Sequence, residues 1–154
     1  MDTLNLPSYE FNIRQEGRST EIFDTIRRKF VALTPEEWVR QNFIRFLVGE
    51  KKYPSGRIAI EIEIRVNRMK KRCDAVVFDP TFLKPLLIIE CKAPSVSLKQ
   101  EVFDQAAGYN RSLQVEYFAI TNGLQHFFCR INMKEERYDF MKEIPFYDFF
   151  KLNF

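Results

Sequence analysis

The chain has 154 residues, 45% of them hydrophobic and 15% aromatic, with a formal net charge of +3. Such a length suits one well-packed domain, and the longest apolar runs are only a few residues, far short of a membrane span. Three cysteines (Cys73, Cys91, Cys129) without C-x-x-C spacing indicate neither a disulfide framework nor a zinc site, and one histidine, His126, cannot build chemistry that needs several imidazoles.

The cysteines are expected to be reduced and partly buried, and His126 to be a packed or solvent-facing strand residue. The opening Met1-Asp2-Thr3-Leu4-Asn5-Leu6-Pro7 has no basic or apolar leader character, so a cytoplasmic location and no membrane partner are expected. The net charge alone does not establish a nucleic-acid partner, and its local clustering matters more.

In chain order, Tyr9 to Arg14 alternates like a short strand, while Ser19 to Lys29 is open between loop, strand and short helix. Residues 1–33 are therefore read as a β-containing extension. A helix starts at Thr34-Pro35-Glu36-Glu37, with Thr34 as N-cap, Pro35 at the first position and Glu37 set for a capping box, and it should run to about Gly49. Val39, Phe43, Phe46 and Leu47 form its apolar stripe, and Glu36 falls on the same stripe, directed towards the sheet. Glu37 has a structural task at the helix start, which leaves Glu36 for the site. The competing reading is that both acids simply favour the positive helix N-terminus.

Arg57 to Arg65 alternates apolar and polar, as a strand with one wet face does. Arg65 to Arg72 then carries five cations in eight residues, Arg68, Lys70, Lys71 and Arg72 among them, just before Asp74. Such a turn either holds phosphates or is a solvated hairpin tip. Cys73 to Phe78 and Leu86 to Lys92 are apolar, β-branched-rich runs joined by the two-proline segment 79–85, which predicts an antiparallel hairpin. Folding it about its loop sets Asp74 opposite Glu90 or Cys91. Side-chain alternation then gives Glu90 and Lys92 one face and Cys91 the other, and an acid, an acid and an amine meet at one sheet edge.

Ser97-Leu98-Lys99-Gln100 reads as a Ser-x-x-Gln capping box opening a second helix, on which Val102, Gln105 and Tyr109 share a face. Gln105 there can bridge a water or phosphate to the sheet, or be an ordinary exposed glutamine. Strands are expected over Glu116–Thr121, Gln125–Arg130 and Arg137–Phe140, the first two joined at Asn122-Gly123. The tail from Phe146 to Phe154 has four phenylalanines and is open between core and interface.

Charges ending an apolar strand are costly unless paired or bound to a cation. Adjacent carboxylates raise each other's pKa, and a hard divalent ion with oxygen ligands relieves the repulsion. Mg2+ suits Asp74 and Glu90 better than zinc, because no imidazole or useful thiolate is offered. A lysine beside such a metal can serve an attacking water or a phosphate, which makes phosphodiester hydrolysis the natural reaction. For the three residues alone, a salt bridge at a strand end is an equal reading.

Asp74, then Glu90-Cys91-Lys92, then Gln105-Ala106-Ala107-Gly108-Tyr109, in this order of elements, resemble the PD-(D/E)xK nuclease superfamily. More narrowly, Glu36-Glu37-Trp38-Val39-Arg40-Gln41, Arg72-Cys73-Asp74, Ile89-Glu90-Cys91-Lys92-Ala93-Pro94 and Thr121-Asn122-Gly123 resemble the N-terminal nuclease domain of type I restriction enzyme R subunits, over roughly residues 30 to 130. The Gln105 to Tyr109 element is similar to that of RecB-type nucleases.

The resemblance implies an α/β fold with a restriction-endonuclease-like core: a mixed central β-sheet flanked by helices, in the order αβββαβ with extra strands. It places the core at 34–130 and a C-terminal strand and aromatic tail at 131–154, all in one domain. It implies that Asp74, Glu90 and the Cys91 carbonyl bind Mg2+ or Mn2+, with Glu36 as an outer ligand. Lys92 would serve the water, Gln105 and Tyr109 would contact DNA, and DNA would be the substrate of a metal-dependent nuclease. Other restriction-modification subunits and a second copy of the chain are the further partners implied. R subunits continue into ATP-driven helicase domains, but these 154 residues hold no G-x-x-x-x-G-K-[ST] loop, so no ATP dependence is expected of this polypeptide by itself. The alternative function is a catalytically silent module that binds nucleic acid or a partner.

Overall fold

A computed structural model describes residues 1–81 and 84–152, and the side chains of all of these except Leu152. Among the described residues, two sheets and three α-helices form the framework. The first sheet is antiparallel and holds β1 (Ile13–Glu16), β2 (Ser19–Asp24) and β3 (Lys29–Ala32). The expected extension is thus built of strands, although β1 begins at Ile13 rather than Tyr9, and the ambiguous segment after Ser19 supplies β2. Asp24, only 3% exposed, closes the β2–β3 turn by accepting from the backbone N–H groups of Ile26 and Arg27.

The second sheet has six strands in sequence order: β4 (Ile58–Val66), β5 (Met69–Phe78), β6 (Pro85–Cys91), β7 (Tyr117–Thr121), β8 (His126–Asn132) and β9 (Arg137–Met141). All neighbours are antiparallel except β6 and β7. A parallel pair needs a crossover, and α2 (Gln100–Ser112) provides it. The expected order of helix, three strands, helix and further strands is therefore observed. A short 3-10 turn at Ser55–Arg57 leads from α1 (Pro35–Gly49) into β4, and α3 (Asp148–Leu152) ends the described chain.

The helices cover opposite faces. Val39, Phe43 and Leu47 of α1 pack with Ala75, Val77, Ile89 and Tyr117, whereas Phe103, Ala106 and Ala107 of α2 pack with Phe118 and Ile120. Alternate residues of β7 thus serve both layers, as expected for a strand covered on two sides. The aromatic tail divides between roles: Phe150 is 2% exposed and in the core, whereas Phe146 is 54% exposed. Phe82, Leu83, Asn153 and Phe154, which belong to the expected hairpin loop and tail, lie outside the described residues.

Two helix starts differ in kind. Thr34 caps α1 as predicted, its Oγ1 accepting from the Glu37 N–H at 3.0 Å, but the Glu37 carboxylate turns to arginines instead of completing a capping box. The Ser97 capping box does not form. Helix α2 begins at Gln100 with Lys99 as its N-cap and no side-chain cap, because Leu98 is drawn into the α2 core and Ser97 is left outside the first turn. Among the described residues no helix is long and apolar enough to cross a membrane.

Candidate functional site

The β5–β6 hairpin pairs Ala75 with Ile89, Val76 with Ile88 and Val77 with Leu87, and the same register brings Asp74 level with Glu90. These strands lie inside the six-stranded sheet, flanked by β4 and β7, so Asp74 sits midway along β5 and Glu90 near the end of β6, and neither lies at a sheet edge as the sequence suggested. Pairing of β4 with β5 runs from Ile60↔Ala75 to Ile62↔Cys73 without a Glu61↔Asp74 pair, and Glu61 has φ +51°. A left-handed glutamate is costly by roughly 1 kcal/mol and such outliers gather at functional sites. The break also changes the alternation of β5: Cys73 packs with Val76 and Ile88, while Ala75 and Val77 face α1.

Asp74 is tied to β6 through Oδ2, which accepts from the backbone N–H of Cys91 at 2.8 Å. Burial first, then repulsion from Glu90 and Glu36, pushes its carboxyl up to about 6, against the Cys91 hydrogen bond and the Arg40 charge. The carboxylate is thus short of compensating positive charge. Cys91 itself sends its side chain into the α1 core, where burial raises the thiol pKa well above its ordinary value and keeps it protonated. Glu90 and Lys92 point to the other face, as alternation predicted.

There, a recess of about 220 Å³ is lined by Lys71, Glu90, Lys92, Val102, Gln105, Ala106 and Tyr109. The predicted Gln105–Tyr109 face of α2 therefore meets the predicted Glu90–Lys92 pair of β6. The recess lies at the carboxyl end of β6, next to its parallel neighbour β7, where open sheets commonly bind ligands. The Lys92 backbone N–H donates to the Thr121 carbonyl at 2.8 Å, which fixes where its side chain leaves the sheet. The Lys71 ammonium hydrogen-bonds Glu90 Oε1 and lies 4.6 Å from the Tyr109 ring centroid.

Glu36 is exposed and stands on the other side of Asp74, in a recess it shares with Arg40, Glu61 and Ala93. Its charge acts on Asp74 and raises the pKa of that carboxyl. Among the described residues, no three His, Cys, Asp or Glu side chains converge to hold a metal ion. The oxygen donors brought together are the Asp74 and Glu90 carboxylates and the intervening backbone near Cys91. Of the basic cluster, Arg68 and Lys70 are exposed, Arg72 donates to Glu61 at 3.0 Å, and Lys71 turns inward. The turn is divided between a solvated tip and an inward-facing amine.

Sequence reasoning missed Arg40. Only 5% exposed, it donates twice to Glu37 at 2.6 Å and once to Glu61 at 3.0 Å, and its Nη1 lies 4.0 Å from Asp74 Oδ1. Arg27 joins Glu37 from the small sheet. Burial by itself would lower the pKa of Arg40, but the Glu37 bonds and charge, with Glu61, raise it. An i, i+3 Glu-x-x-Arg spacing was present as a signal, although nothing in it announces burial. His126 is a packed strand residue, stacked on Phe43 with centroids 5.7 Å apart, and Nδ1 is 2.7 Å from Thr121 Oγ1. All three cysteines are free and buried.

Fold and site together define a mixed α/β domain with carboxylates and amines collected on its middle strands β5 and β6. Residues 35–145 match the family described as "Type I restriction enzyme R protein N terminus (HSDR_N)". The chain belongs to that family. Among solved structures, the fold resembles a fragment described as an HsdR subunit of a type I restriction enzyme from Vibrio vulnificus YJ016, with a TM-score of 0.55 and 17% identity. The match covers 78% of this chain and 25% of that one, so this chain corresponds to a quarter of the other's length. No curated protein matches the sequence.

Proposed function

We propose that this domain is a metal-dependent nuclease domain of the restriction-endonuclease-like, PD-(D/E)xK type, acting on DNA phosphodiesters within a restriction-modification system. One observation carries the reading: Glu90 and Lys92 share one recess with Gln105 and Tyr109, while the Cys91 N–H holds Asp74 beside them. The donors suit a hard cation. Two carboxylates, one with its pKa raised partly by its acidic neighbours, and the Cys91 carbonyl would hold Mg2+ or Mn2+, with the protonated Cys91 thiol turned away. Glu36 would add negative charge from outside, or reach a bound water.

Bound there, such an ion would polarise a phosphate oxygen and make water a better nucleophile. Lys92, which makes no ion pair among the described residues, would hold its ammonium or amine towards the attacking water and the phosphate. Gln105, exposed on α2, would orient that water or a phosphate oxygen by hydrogen bonding. Arg68 and Lys70 on the exposed turn, and Tyr109 at the recess wall, would contact the nucleic-acid backbone. Partner R–M subunits and a second copy of the chain are proposed as well, since two cuts in a duplex suit two sites.

A silent binding module of the same fold is the second reading, favoured by the Lys71–Glu90 ion pair and by Glu36 lining a different recess from Glu90. The test is incubation of the protein and a Lys92→Ala variant with plasmid and linear DNA in Mg2+, Mn2+ or EDTA. Cleavage that needs metal and is lost in the variant supports the nuclease. Salt-sensitive DNA binding without cleavage under any metal would favour the silent module.

A further inference from the structure

Two amines line the recess, and they are placed differently. Among the described residues Lys92 makes no ion pair, whereas Lys71 reaches from β5 to the Glu90 carboxylate and rests over the Tyr109 ring. The side chains of Lys71 and Glu90 are only 17% and 15% exposed, so solvent and salt screen this pair less than a surface one. Lys71 comes from the strand that also carries Asp74, three residues earlier, and its head reaches a carboxylate of the next strand. The Tyr109 face gives the ammonium a second attraction that keeps it within the recess.

Resting on the metal-dependent reading above, we infer that Lys71 is an internal counter-cation that competes with a divalent ion for Glu90. Its ammonium neutralises Glu90 when no metal is bound, relieves the Asp74–Glu90 repulsion, and must leave the carboxylate for the ion to enter. Lys71 thereby sets the metal concentration at which the site fills. Removing a competing charge tightens cation binding, whereas removing a merely structural contact leaves it unchanged or weakens it.

The measurement is Mn2+ binding to the metal-free protein without DNA, followed by the EPR signal of free Mn2+, for the parent, Lys71→Met, Lys71→Arg and Glu90→Gln. Lys71→Met retains the length and apolar stem, and circular dichroism and a thermal melt establish that each variant is folded; Lys71→Gln serves if the methionine variant is not. The expected result is binding roughly tenfold tighter in Lys71→Met, the scale of one charge-assisted hydrogen bond. Lys71→Arg should stay near the parent and Glu90→Gln should bind far more weakly. Equal or weaker binding by the folded Lys71→Met protein, with the parent binding Mn2+ through Glu90, overturns the role of Lys71 alone. Failure of the parent to bind Mn2+ at all overturns both this inference and the metal-dependent reading.

Discussion

The Cys91 backbone N–H donates to Asp74 Oδ2 at 2.8 Å and so binds the acid of β5 to the strand that carries Glu90 and Lys92. The break in β4–β5 pairing at Glu61 leaves Asp74 outside the regular ladder, and the Cys91 bond replaces what the ladder would have fixed. Asp74→Asn should keep this bond, because an amide oxygen accepts as well as a carboxylate does, and should remove only the charge. We expect a folded protein with Mn2+ binding and any cleavage reduced by at least about 10²-fold, the scale at which even groups behind a metal ligand matter. Retained metal affinity in the folded variant would remove Asp74 from the site.

The raised pKa of Asp74, about 6 against an ordinary 3.8, has a definite sign for stability. Between these values the folded state holds more protons than the unfolded state, so stability falls as pH rises through that window and stays lower above it. The side chain is 22% exposed, which discounts the penalty to roughly 2 kcal/mol. Chemical denaturation from pH 4 to 7 should show this decline, and the Asp74→Asn protein should lack it. Metal binding needs the carboxylate and should rise through about pH 6 in the parent. A parent whose stability rises over that window through this residue would contradict the assignment.

Arg40 joins the helix start to the sheet beneath Asp74, and its loss should be felt as stability. Glu37 is 4% exposed and takes two of its hydrogen bonds from Arg40, so Arg40→Ala leaves a buried carboxylate with Arg27 as its remaining partner. Removing one partner of a buried ion-pair network costs about 3 kcal/mol, which for a chain of this size lowers the melting temperature by roughly 10 °C. Arg40→Ala combined with Glu37→Gln should recover part of the loss in a thermal melt, because the orphaned charge has gone. An Arg40→Ala protein as stable as the parent would show that the network contributes nothing.

Much of this frame is visible in the chain because its signals are local. Thr34-Pro35 and the Val39–Phe43–Leu47 spacing mark α1, and the loop symmetry of the hairpin brings Asp74 level with Glu90 within one residue. The face shared by Val102, Gln105 and Tyr109 follows from helical periodicity alone. What was hidden depends on distant partners. Glu37 leaves its cap for Arg40 and Arg27, Lys71 bends inward because Glu90 and Tyr109 await it, and Ser97 loses its capping role because the half-buried Leu98 packs against the α2 core. The interruption at Glu61 was equally invisible, since glutamate carries no preference for a positive φ.

The β7–β8 turn supports the site from behind, and Gly123 is its most constrained position. Asn122 Oδ1 accepts from the N–H groups of Leu124 and Gln125, while Gly123 adopts φ +85°, which L side chains rarely tolerate. A Cβ there would lie 2.6 Å from Leu4 Cδ2 and 3.2 Å from Val39 Cγ2. The Leu4 side chain can move, but Val39 is fully buried in α1, and the Gly123 carbonyl also accepts from the Asn5 N–H at 2.8 Å. Gly123→Ala should therefore cost about 2 kcal/mol through backbone strain and loosen the N-terminal segment. Hydrogen exchange should show faster exchange at Asn5 and at Trp38 Nε1, which donates to the Asp2 carbonyl, while β5 and β6 remain protected. If Asn5 exchanged as slowly in the variant as in the parent, the turn would not be what holds the N-terminus against α1.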